Sequence, residues 1–204
     1  QTIPRIYELS DRGAAYETAL DAAGQALLAG GIAALPAEGL YGLHVDGARP
    51  VALERLRRLK GSPPERAFIV LLGSPEQIPL FAAELPGRAG ELVQEAWPGP
   101  LTLVLPAAGW VPPELCREGR VALRCPASRL LRDLALLLPG FLVSTSANQA
   151  GFPAPKRIQE IAEEILEECA VAVDGGVLPG EGSTLVRPEA DGRLTILRQG
   201  LWRS

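Results

Sequence analysis

The sequence predicts an α/β layered domain built on a mixed sheet. Three observations carry this reading. Short apolar runs of strand length alternate with longer stretches of helical periodicity, and three strand-like runs crowd together late in the chain. The 22 glycines and 19 prolines are spread along the sequence rather than gathered in a linker, which implies many short, sharp connections. Hydrophobic residues make up 47% of the 204, enough for an ample core, so residues 1–204 are expected to form a single domain.

The elements follow in order. Tyr16 to Leu28 has apolar residues at helical spacing and stops at Gly30-Gly31, a C-terminal signal. Ile32 to Leu35 is a short strand ended by Pro36. Val51 to Leu59 is amphipathic, with its arginines on the outer face. Phe68 to Leu72 is a buried strand by length and composition. Glu76 to Ala83 and Ala89 to Trp97 read as helices, and Pro98-Gly99-Pro100 forces a break before the strand Leu101 to Leu105. Val121 to Arg124 is a strand closed by Pro126. Leu130 to Leu138 is an apolar helix, followed by the strand Phe141 to Val143. Ile158 to Cys169 is the last helix, and Val171 to Val173, Thr184 to Val186 and Leu194 to Leu197 are the late strands.

Composition excludes several function classes. With a formal net charge of −4, binding of nucleic acid by bulk charge is excluded, and any anion site must be a local patch. No apolar run reaches the roughly 18 residues of a membrane span, so no membrane partner is expected. The N-terminal stretch lacks the basic-then-apolar layout of a secretory signal. Cys116, Cys125 and Cys169 are far apart, without Cys-x-x-Cys spacing, and read as buried or free thiols of a reducing, cytoplasmic compartment. One histidine, His44, excludes a multi-histidine metal site. Methionine is absent even at position 1, so the native start is expected to precede this numbering. Arginines outnumber lysines 18 to 2, which singles out Lys60 and Lys156.

Four segments could carry chemistry. Pro36 to Leu43 (PAEGLYGL) reads as a loop between a strand and a helix; Gly39 and Gly42 permit close backbone approach, and the segment fits a tight turn with Tyr41 in the core as well as a ligand loop. Lys60 to Arg66 is a proline-stiffened loop whose Lys and Arg suit a phosphate, although a Lys near a helix C-terminus also complements the helix dipole. Val143 to Asn148 (VSTSAN) crowds Ser144, Thr145, Ser146 and Asn148 at a strand mouth, suited to phosphate or ribose and equally to caps and turns. Arg124, Ser183-Thr184 and Arg198 stand at strand ends as an anion-lined group. Asp174-Gly175-Gly176 reads as a turn or a contact to a metal–nucleotide complex. No P-loop and no G-x-G-x-x-G is present, which excludes the common nucleotide folds.

From about Gly30 to Gly200 these pieces, with WPGPLTLVL (97 to 105), VALRCP (121 to 126) and ILRQG (196 to 200), resemble the YrdC-like family, the threonylcarbamoyl-AMP synthases. The resemblance implies a twisted, mixed, open sheet with flanking helices and a large basic concave cavity. It implies a nucleotidyltransferase that joins L-threonine, bicarbonate and ATP, with Mg²⁺, into threonylcarbamoyl-AMP and pyrophosphate for tRNA modification. The alternative is a non-synthase paralogue binding nucleotide or double-stranded RNA. The residues implied are Lys60 as the catalytic cation, Lys60, Ser146, Asn148 and Arg198 for ATP, and Ala37, Arg124, Ser144 and Ser183 for threonine. Longer family members carry a further C-terminal domain, which is not expected here. The family usually reads PTETVYGL where this chain has Ala37 and Gly39, has an arginine at Ser62, a histidine at Leu71 and a glutamate at Gly182. Arg66 is expected to stand in for the arginine missing at Ser62. With Ala37 and Leu71 on the threonine side, weak discrimination of the substrate hydroxyl is expected.

Overall fold

The computed structural model describes residues 2–61 and 68–203. Among them the strands, in chain order, are β1 (Ile6–Glu8), β2 (Ala33–Pro36), β3 (Tyr41–Asp46), β4 (Ile69–Leu71), β5 (Leu101–Pro106), β6 (Cys116–Arg117), β7 (Arg120–Arg124), β8 (Leu142–Ser146), β9 (Val171–Asp174), β10 (Thr184–Pro188) and β11 (Leu194–Arg198). The helices are α1 (Ala14–Leu28), α2 (Pro50–Lys60), α3 (Ile78–Phe81), α4 (Ala89–Ala96), α5 (Arg129–Leu137) and α6 (Glu163–Glu167). All the strands join one sheet in the order β1-β9-β2-β3-β8-β4-β7-β5-β10-β11, with β6 paired to β7 beside this path. Parallel pairs such as β2·β9, β4·β7 and β5·β10 alternate with antiparallel ones such as β2·β3, β3·β8 and β5·β7, so the sheet is mixed.

Period-two alternation decides which face each strand residue serves. Tyr41, Leu43 and Val45 of β3, Val143 of β8, Val70 of β4, Leu123 of β7 and Leu103 of β5 share one core with residues of α2, α3, α4 and α6. The opposite face carries a second core over β9, β2 and the adjoining ends of β8 and β4, where Leu27 of α1 and Leu131 and Leu134 of α5 pack on Leu35, Leu71, Leu142 and Val173. Each fully buried leucine of this kind contributes roughly 1.5–3 kcal/mol. Toward β8, β7, β5 and β10 that same face opens into a cavity.

The sequence-based elements and the observed ones differ in a few places. PAEGLYGL does not lead into a helix: β2 and β3 pair antiparallel in register Pro36 with Tyr41, so the segment is a hairpin. Tyr41 is a core aromatic, and burial pushes its phenol up to about 12. Its hydroxyl donates toward Asp174 Oδ1 (3.0 Å) and Gly176 O (2.8 Å) and accepts from Gly175 N–H (3.0 Å). Asp174-Gly175-Gly176 is therefore a turn tied to the hairpin. Strand β8 runs on through Ser144 and Ser146, beyond the expected Val143. The expected helix from Glu76 to Ala83 starts as a 3₁₀ turn at Pro75–Gln77 and ends with α3 at Phe81. The expected helix Ile158 to Cys169 divides into a 3₁₀ turn (Ile158–Glu160) and α6, because Ile161 and Ala162 are extended. That break lets Ile158, Ile161, Ile165, Leu166 and Cys169 all reach the core. β1 and β6, short strands at the margin, carry no periodic signal and were not expected.

The sheet curls. Four strands lie between β3 and β10, yet Gly180 N–H, just before β10, donates to Gly39 O in the β2–β3 hairpin (2.8 Å). The two sides of the open face thus meet across the cavity. Gly39 is required at this closure: a Cβ there would lie 1.8 Å from Glu181 O. The C-terminal segment is held by Thr184, whose hydroxyl accepts from Gly200 N–H (2.9 Å) and donates to Trp202 O (2.7 Å). Trp97 is buried and donates its indole N–H to Leu101 O (2.6 Å), so the WPGPLT motif anchors the start of β5.

Candidate functional site

The open half of the sheet face forms a cavity of about 730 Å³. Residues two apart along each strand reach it: Ser144 and Ser146 from β8, Arg120, Ala122 and Arg124 from β7, Leu185 and Arg187 from β10. Of the residues expected from sequence, Ala37, Lys60, Arg124, Ser144, Ser146, Ser183 and Arg198 all line it. Asn148 stands behind Ser146 and is tied to it. Ser62 and Arg66 lie outside the described residues. Leu71, expected on the amino-acid side, instead packs fully buried in the α1–α5 core and does not line the cavity. Its strand position turns it under α5, while Ile69 on the same face is the β4 residue that borders the cavity.

Lys60 is not a loop residue. It ends α2, Gly61 caps the helix in the left-handed conformation, and the side chain is 5% exposed. The ammonium donates to Ser146 O (2.8 Å), Ser146 Oγ (3.2 Å), Asn148 O (2.5 Å) and Asn148 Oδ1 (3.0 Å). A buried charge needs such partners, and these four oxygens fix the Ser146–Asn148 turn around the ammonium. Ser146 Oγ also donates to Asn148 Oδ1 (2.5 Å), so the three side chains form one hydrogen-bonded cluster.

On the far wall Arg198 donates to Ser183 O (2.9 Å) and Ser183 Oγ (3.3 Å), and Ser183 Oγ meets Thr102 Oγ1 at 2.8 Å. Thr184, beside Ser183, holds the C-terminal segment and faces away from the cavity. Arg124 is 6% exposed, and its Nη2 approaches Glu38 Oε2 at 3.6 Å. Glu38 is itself fixed by Ala127 N–H, 2.6 Å from Oε1. Among the described residues the Arg124 Nε is buried without a hydrogen-bond partner.

Sequence reasoning passed over five charged residues of the wall: Glu38, Arg117, Glu118, Arg120 and Arg187. Arg120 and Arg187 could have been found from alternation, since each lies two residues from another lining position. Counting them, six cationic side chains line the cavity against the carboxylates of Glu38 and Glu118 among the described residues. Such a wall, in a chain of net charge −4, is suited to a polyanion such as a nucleotide. Among the described residues no group of three or more His, Cys, Asp or Glu side chains is set to hold a metal ion. No helix of the described residues is long and apolar enough to cross a membrane. Cys116, Cys125 and Cys169 are free thiols, and burial pushes Cys125 up to about 11 and Cys169 up to about 12, so neither is a thiolate nucleophile.

The chain is similar to proteins of known identity. It is 35% identical over 184 residues to a threonylcarbamoyl-AMP synthase of Vibrio cholerae, covering 89% of this chain and 97% of that one. It is 34% identical over 148 residues to the threonylcarbamoyl-AMP synthase of Pyrococcus abyssi, covering 72% of this chain but 44% of that longer protein. The crystal structure of P. abyssi Sua5 complexed with L-threonine superposes with a TM-score of 0.87 at 31% identity, over 96% of this chain and 57% of that one. Residues 25–200 match the Sua5/YciO/YrdC family model, which is described as telomere recombination. With that model spanning both walls of the cavity, from α1 to the end of β11, the chain belongs to the Sua5/YciO/YrdC family.

Proposed function

We propose that the cavity joins L-threonine, bicarbonate and ATP into threonylcarbamoyl-AMP and pyrophosphate, with residues 1–204 acting as one domain in the cytoplasm. The observation that carries the reading is that Lys60 with Ser146, Arg124 with Ser144, and Arg198 with Ser183 converge on one cationic cavity. Its volume of about 730 Å³ falls within the roughly 300–1,000 Å³ of small-molecule sites. The synthases of V. cholerae and P. abyssi, and the L-threonine held by P. abyssi Sua5, support the choice of substrates.

In this reading the threonine amine bonds to the bicarbonate carbon with loss of water, giving a carbamate. A carbamate oxygen then bonds to the α-phosphorus of ATP as the bond to the pyrophosphate oxygen breaks. Arg124 pairs with the threonine carboxylate through its guanidinium, which Glu38 holds in place. Lys60 neutralises phosphate charge, while Ser146, Asn148 and Arg198 position the nucleotide. Mg²⁺ enters with the nucleotide as part of the substrate, since the described residues offer no carboxylate cage. The threonylcarbamoyl group is then passed toward tRNA.

The test is pyrophosphate release from ATP, with L-threonine and bicarbonate omitted in turn. Release that needs both supports the synthase. Nucleotide or double-stranded RNA binding without release would instead make the chain a binding paralogue.

A further inference from the structure

Thr102 belongs to the WPGPLT segment, yet its side chain turns away from the core that the segment anchors. In β5, Leu101, Leu103 and Leu105 enter that core, so Thr102 and Val104 belong to the opposite, cavity face. Val104 lines the cavity, whereas Thr102, paired with Leu185 of β10, is completely buried. Its hydroxyl meets Ser183 Oγ at 2.8 Å. Ser183 is 4% exposed and does line the cavity, so a buried hydroxyl touches a hydroxyl of the site.

Which of the two hydroxyls donates follows from what else each can reach. A hydroxyl carries one proton and two lone pairs, and a buried donor left without an acceptor is rarer than an idle lone pair. Water cannot reach Thr102 at 0% exposure, and among the described residues Ser183 Oγ is the one hydrogen-bond partner of its hydroxyl. The Thr102 proton therefore goes to Ser183 Oγ. Arg198 occupies the other lone pair of that oxygen: a guanidinium can only donate, and its Nη2 lies 3.3 Å away. With both lone pairs taken, the Ser183 proton is left for the cavity.

We infer that Thr102 is a positioning residue: it donates to Ser183 Oγ and so presents the Ser183 hydroxyl to the cavity as a hydrogen-bond donor for an anionic oxygen of the substrate. The wall suits such an oxygen, since the Arg198 guanidinium stands beside Ser183. The inference rests on the synthase reading for the source of that oxygen, the carboxylate of the amino acid or a phosphate of ATP. The backbone at Ser183 is fixed independently of Thr102. Gly200 packs against it so closely that a Cβ there would lie 2.5 Å from Ser183 C, and the next residue, Thr184, donates its N–H to Pro100 O (3.0 Å). What Thr102 sets is the direction of one hydroxyl.

The direction of the bond can be read without any substrate. In the intact chain carrying ¹³C-labelled threonine and serine, dissolved in mixed H₂O and D₂O, a slowly exchanging hydroxyl splits its Cβ resonance and a rapidly exchanging one does not. The expected spectrum shows a split Thr102 resonance, assigned by its loss in Thr102→Val, and an unsplit Ser183 resonance. Any other pattern overturns the inference whatever the activity of the protein. In pyrophosphate release, Thr102→Val, which keeps the shape and removes the hydroxyl, should raise one KM roughly three- to tenfold, the loss of one neutral hydrogen bond. A rise confined to KM for the amino acid assigns the oxygen to its carboxylate, and a rise confined to KM for ATP assigns it to a phosphate. Thr102→Ser, which restores the hydroxyl, should recover most of the loss. Equal changes in both KM values, no change in either, or no rescue by serine contradict the role. If no amino acid supports release, the synthase reading fails while the hydroxyl exchange still decides the direction of the bond.

Discussion

Lys60 belongs to the cavity wall and to the packing behind it at once. Its ammonium holds four oxygens of Ser146 and Asn148 while it borders the cavity. Lys60→Ala should therefore weaken ATP binding at least tenfold by calorimetry and also lower unfolding stability by on the order of 2 kcal/mol in urea, because buried acceptors lose a charged donor. Lys60→Arg should not restore binding, since a planar fork does not fit acceptors arranged around a point charge. His44 gives a second residue-scale expectation. Burial holds its folded pKa below its unfolded one, so the unfolded chain takes up the proton first as pH falls. The stability is whole above about pH 6.5 and declines below it, by up to about 1.4 kcal/mol per pH unit toward pH 3. Urea denaturation from pH 7 to pH 5 should show a flatter profile for His44→Gln than for the parent chain. Two glycines separate in the same way. Gly39→Thr should fail to fold, with Glu181 O 1.8 Å from the new Cβ, whereas Gly182→Ala should be tolerated, its nearest neighbour being the Arg198 guanidinium at 3.5 Å. Soluble yield and melting curves of the two variants check this. Ala37→Thr, which places a hydroxyl at the cavity wall without that clash, should sharpen discrimination of threonine from valine in pyrophosphate release.

At the scale of elements, the strongly periodic segments were legible. α1, α2, α4, α5, β5 and β7 lie within about two residues of their sequence-based limits, because their apolar spacing, their Gly or Pro stops and their burial all agree. β3 was hidden for a physical reason. Tyr41, Leu43 and Val45 do alternate with Gly42, His44 and Asp46, but the glycines at 39 and 42 make the segment read as a loop. β8 looked shorter than it is because Ser144 and Ser146 face a cavity rather than a core. The helix α5 was plain, and it should also be separable from the site. Leu131→Ala removes side-chain volume from the α1–α5 core and should cost about 2–5 kcal/mol of unfolding free energy, while KM for ATP stays unchanged where the protein remains folded.

For the whole molecule, the legible part of the site was its chemistry and the illegible part its closure. The motif residues Lys60, Arg124, Ser144, Ser146, Ser183 and Arg198 could be named in the sequence, and they line one cavity. What brings them together is the curl of the sheet, fixed by contacts such as Gly180 to Gly39 and Leu201 to Gly182, pairs whose partners stand far apart in the chain and carry no periodic signal. The same curl adds Arg117, Arg120 and Arg187 to the wall and brings Glu38 against Arg124. The central claim, that this cavity is a threonylcarbamoyl-AMP synthase site, is tested most directly by one measurement. Pyrophosphate release from ATP is followed with L-threonine and bicarbonate both present and with each withheld. The account predicts release that requires both co-substrates and falls steeply in Arg124→Ala. Release that proceeds equally without threonine or without bicarbonate, or no release by a folded chain that binds ATP, would contradict it.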